Sequence, residues 1–89
     1  MIDTTTCETF DEALDRVCQS IDGSDVMNEL VDVQDQIAAL LKAGRGDKAG
    51  KVVEAVFNAY VYRVAARDFF RDPIKTQTAT EAAAAVMAQ

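Results

Sequence analysis

The chain has 89 residues, 49% of them hydrophobic, with no tryptophan, no histidine and a formal net charge of −6. That length makes one domain at most, and that apolar content supports a core, which excludes wholesale disorder. Without histidine there is no Ser/His or Cys/His nucleophile pair and no Glu-x-x-His di-iron site, and the acidic balance argues against direct nucleic-acid binding.

A first helix is expected over 6–22. Thr5-x-x-Glu8 and Thr9-x-x-Glu12 both read as capping boxes. Cys7, Phe10, Leu14, Val17, Cys18 and Ile21 follow at helical spacing, and Gly23 offers a left-handed stop. Cys7 and Cys18 are eleven residues apart, roughly 16 Å along one helix, too far to bridge. Both are expected as buried, reduced thiols.

A second helix is expected over 25–43, capped by Ser24 and ended by Gly44. Its stripe is Val26, Leu30, Val33, Ile37, Leu40 and Leu41, with Met27 and Val31 on the shoulder. The short link between the two helices implies an antiparallel hairpin. A third helix should run over 47–72, from a cap at Asp47 to the Asp72-Pro73 step. Its buried face rotates near Tyr60–Tyr62: Ala49, Val52, Val53, Val56 and Tyr60 define one direction, and Val61, Val64, Ala65 and Phe69 another. At roughly 39 Å it would protrude from a round domain of this size unless it bends, breaks or meets a second copy. Thr78-x-x-Glu81 opens a short Ala-rich helix over 79–88, too short to be stable undocked. No strand pattern and no internal repeat occurs. The fold class is therefore all-α: a small bundle of hairpin, long third helix and short C-terminal helix. A core of small residues favours self-association as a homo-oligomer, a dimer in the first instance.

Two segments resemble functional motifs without fitting them. Gly44–Lys51 looks like a phosphate loop, but the glycine spacing is wrong and Val52 stands where Ser or Thr is required. Arg45-Gly46-Asp47 is better explained by the helix start at Asp47. The N-terminal residues lack the basic start and apolar run of a signal peptide. The longest mostly apolar stretch, 55–66, is too short to span a bilayer. A cytoplasmic protein without membrane contact is expected.

Charge is segregated. Residues 1–41 hold ten acids and one base (Arg16), and residues 42–89 hold five acids and eight bases. Asp11, Asp15, Asp25, Glu29 and Asp32 lie on acidic flanks of the first two helices, a surface able to dock on a basic protein partner. The expected function is a non-enzymatic binding module, an inhibitor or regulator of the kind mobile elements direct against defence proteins. A rival reading uses Tyr60, Arg63, Arg67 and Arg71. The three arginines form an i, i+4, i+8 row that could grip an anionic ligand such as a nucleotide beside a stacking ring, or pair with the acidic hairpin. A third reading is a structural homo-oligomer held by charge pairing between copies. The acids flank the apolar stripes rather than converging inside them, so neither a metal nor another cofactor is expected.

Overall fold

A computed structural model describes residues 8–70 and 76–89, apart from the side chain of Asp68. They form five helices and no strand: α1 (Phe10–Ser20), α2 (Gly23–Val31), α3 (Gln34–Lys42), α4 (Gly46–Phe70) and α5 (Ala79–Met87).

Of the two candidate boxes at the N-terminus, Thr9 caps α1. Its hydroxyl accepts from Glu12 N at 3.2 Å, so the helix starts four residues later than expected. Gly23 is not a left-handed stop but the first residue of α2. Asp22, not Ser24, caps that helix by accepting from Ser24 N at 3.0 Å. Gly44 does have the expected positive φ, 74°, and ends α3. Asp47 lies in the first turn of α4 rather than at its cap. Thr78 and Glu81 make a complete capping box on α5, each satisfying the other's backbone N–H.

The expected second helix is two helices. Val33, at φ −121° and ψ 13°, leaves helical geometry without any Gly or Pro to signal the break. Its side chain is fully buried, and the bend seats it with Leu40 against α4 and α5.

The third helix is continuous, and it is the element on which the others pack; the first two helices do not form an organising hairpin of their own. Its two apolar directions differ by roughly 130° at 100° per residue, and each has its own partners. In one cluster Ala49, Val52 and Val56 meet Val33 and Leu40 and the buried face of α5 (Ala79, Ala82, Ala83, Val86). In the other, Val61, Val64 and Ala65 meet Ala13 and Val17 of α1. Phe10 extends this second cluster, with ring centroids 5.2 Å from Tyr62, 5.8 Å from Phe69 and 4.9 Å from Phe70. Two clusters strung along one rod, rather than one round core, make the molecule 45 × 23 × 18 Å with a radius of gyration of 14.2 Å. A round chain of this length would have about 12 Å.

Cys18 is exposed, against expectation. It lies roughly 90° round α1 from the mean direction of the buried line, because Ala13 rather than Cys18 completes that line. Cys7 lies outside the described residues. No helix among the described residues is long and apolar enough to cross a membrane.

Candidate functional site

The five acids singled out in the sequence do not share one environment. Asp11 and Asp15 are exposed on the outer side of α1, and Asp25 is exposed in the first turn of α2. Asp32 is exposed at the C-cap of α2. Glu29 instead turns inward and is half-buried.

Glu29 meets the arginine row. Its Oε1 accepts from Arg63 Nη2 in an ion pair whose side chains are 22% and 23% exposed. Arg63 Nη1 also donates to Gln77 O at 3.3 Å, and its guanidinium carbon stands 5.6 Å from the centre of the Tyr60 ring, within cation–π range. One side chain of α4 thus ties α2 to the segment entering α5.

Tyr60 is the centre of this junction. Partial burial raises its phenol above the ordinary value, the charges of Asp25 and Glu29 raise it further, and Arg67 and Arg63 oppose them. Two carboxylates of α2 and two guanidiniums of α4 therefore act on one ring, and their charges offset. Tyr60 and Arg63, proposed for one site, and Glu29, proposed for another, belong to the same cluster, while Asp25 stays exposed and acts on the ring only through its charge. Arg71 lies outside the described residues.

The remaining acids do other work or stand in solvent. Hydrogen bonds from the Ser24 backbone and side chain hold Asp22 below the usual carboxylate range. Asp47 is lowered by the backbone N–H of Lys48 and by Arg45, whose Nε donates to it at 3.4 Å. Both stabilise a helix start, where negative charge suits the dipole. Among the described residues no three acids or cysteines gather closely enough to hold a metal ion. A cleft of about 500 Å³ between α4 and residues 76–77 is lined, among the described residues, by Ala55, Asn58, Ala59, Tyr62, Thr76 and Gln77.

Two features escaped the sequence reading. The backbone carbonyl of Gln77 as an arginine acceptor left no signal, because it depends on where the chain returns after α4. The exposure of Met27, Val31 and Leu41 on one side of α2 and α3 did leave a signal in their spacing, but Met27 and Val31 read there as the shoulder of the core stripe and Leu41 as part of it. Leu41 is exposed, against that expectation. No protein-family model, no curated protein and no solved structure matches the chain.

Proposed function

We propose that this protein is a non-enzymatic binding module, an inhibitor or regulator acting in the cytoplasm, that docks an acidic helical surface on a basic protein partner. The observation that carries the reading is the exposure of Asp11, Asp15, Asp25 and Asp32 on α1 and α2 and at the C-cap of α2, consecutive elements whose only base is Arg16. Dense carboxylates on a rigid helical frame steer a basic partner and fix its orientation. Glu29 has a different role in this reading: its ion pair with Arg63 holds α2 in place, so that the outward acids are presented in a fixed array.

The anionic-ligand alternative is less well supported. The Arg63 guanidinium already serves Glu29 and Gln77, and a ligand would have to displace both.

The test is capture from the native cell lysate by the immobilised full chain, compared with a variant carrying D11K, D15K, D25K and D32K. The partner is expected to be basic, to bind the wild type and to be lost with the variant and in high salt. A partner retained equally by both proteins, or no partner at all, rejects the proposal. Thermal stability that rises with a nucleotide would favour the rival reading, since a ligand at 100 times its Kd adds about 2.7 kcal/mol.

A further inference from the structure

Leu30, Ile37 and Leu40 of α2 and α3 pack into or against the core, but three other large aliphatic side chains of these helices do not. Met27, Val31 and Leu41 are 62%, 54% and 59% exposed, whereas the largest fully buried side chains among the described residues are four valines, Val17, Val33, Val52 and Val56. The three exposed residues, with Gln34 and Ala38, line a shallow groove of about 230 Å³ whose inner walls are Leu30 and Ile37.

The spacing has a meaning. Met27, Val31, Gln34, Ala38 and Leu41 recur at steps of four, three, four and three, which is the 3.5-residue repeat of a helix–helix seam. The bend at Asp32–Val33 does not interrupt it. Asp32 N and Val33 N still donate to Glu29 O and Leu30 O at 3.3 and 3.1 Å, and all five residues open on the same groove.

Charge selects the occupant. The flank of the seam on α3 carries Asp35 and Lys42, seven residues apart and opposite in sign, so the seam is locally neutral. Asp25 and Asp32 lie roughly 130° round α2 from Met27 and Val31, and a basic partner would be drawn to them rather than to the groove. A second copy brings the same neutral, apolar seam. Crossed antiparallel about a two-fold axis near Ala38, two copies bring each Asp35 toward the Lys42 of the other, and the small Ala38 allows close approach at the axis. A two-fold contact of this kind is self-complementary and closes at two subunits. We propose that the α2–α3 seam is the interface of a homodimer. This inference does not depend on the acidic docking surface, which uses other residues.

Sedimentation equilibrium of the full chain tests it. The wild type is expected at twice the 9.7 kDa chain mass. The dimer should persist or tighten at high salt, because screening relieves the repulsion between two copies of charge −6; a charge-paired oligomer would loosen. V31E and L41E are expected to be monomeric with helical circular dichroism unchanged, since both side chains are already in solvent in the single chain. A second measurement covers the case in which a variant unfolds. In a background with C7S and C18S, oxidation of A38C should give a covalent dimer, as a disulfide needs Cα atoms within about 7 Å. N58C, exposed on α4, should not cross-link. A monomeric wild type, whatever else covers the seam, overturns the proposal. So does a dimer that survives both glutamates, or cross-linking that is equal at positions 38 and 58.

Discussion

Arg63 shows how one side chain is read differently in one and in three dimensions. In the sequence it is the first of three arginines at helical spacing, a row whose mutual repulsion is relieved if anions lie opposite. In the fold its anion is Glu29, on a helix 34 residues earlier. Because both side chains are mostly withdrawn from water, removing one partner leaves a poorly solvated charge. R63A is expected to cost about 1–2 kcal/mol in urea denaturation, between the limits for exposed and buried pairs. E29Q should cost less, because the amide oxygen still accepts a hydrogen bond. Equal and negligible losses would mean that the pair does not anchor α2. Tyr60 gives a second test at this scale. Its folded phenol is held above the ordinary value of 10.0, so the folded state binds its proton more tightly than the unfolded chain. The resulting stabilisation is complete below pH 10 and is lost as pH rises through the folded value. In Y62F the remaining phenol should titrate, by ultraviolet difference absorbance, above 10, and the stability of that variant should fall over the same range. A titration at or below 10 contradicts the burial and the two carboxylates assigned to it.

The long helix is the case at the scale of elements. A rotation of its apolar face near Tyr60 is visible in the sequence, and it requires either a break or two sets of partners. The helix is unbroken, and α3 with α5 occupies one half while α1 occupies the other. Continuity costs nothing in backbone hydrogen bonds, whereas a break would expose orphan groups. Two separate clusters predict independent energetics. V17A and V56A, each at a fully buried valine, should each cost about 2 kcal/mol for two lost methyl groups and the space they leave. Their double variant should equal the sum within about 0.5 kcal/mol. Strong non-additivity in chemical denaturation would show that the clusters act as one core. The converse case is the bend between α2 and α3. Residues 25–43 carry unbroken helical periodicity, so nothing local announces that Val33 leaves the helix. Val33, where the helix breaks, and Leu40 beyond it both lie in the cluster with Val52 and Val56 of α4.

At the scale of the whole molecule, charge is arranged along a rod. The acidic helices α1 and α2 accompany the C-terminal half and middle of α4, while Lys42, Arg45, Lys48 and Lys51 cluster at its start with Asp47 alone among them. Lys48 Nζ donates to the carbonyls of Met87 and Gln89, at 3.4 and 3.1 Å, so the basic end also closes the C-terminus of α5, where positive charge is favourable. The middle of the rod is where the two signs meet, at Tyr60. The surface proposed for docking a basic partner and the proposed α2–α3 interface use different residues, and the charge-reversal and seam variants separate the two proposals.

Helical class, the capping box at Thr78, the stop at Gly44 and the turn of the buried face on α4 were legible in the sequence, and Thr9 was one of two caps it offered for α1. They depend on side-chain chemistry and on neighbours within one or two turns. What only the tertiary structure decided is which of several apolar residues point inward and which charges find each other. Cys18 lost its core position to Ala13, Met27 and Leu41 stayed outside while Val33 went in, and Glu29 left the acidic surface to join Arg63. Each choice was made by packing against α4, and periodicity along a single helix cannot reveal which partner will fill the space beside it.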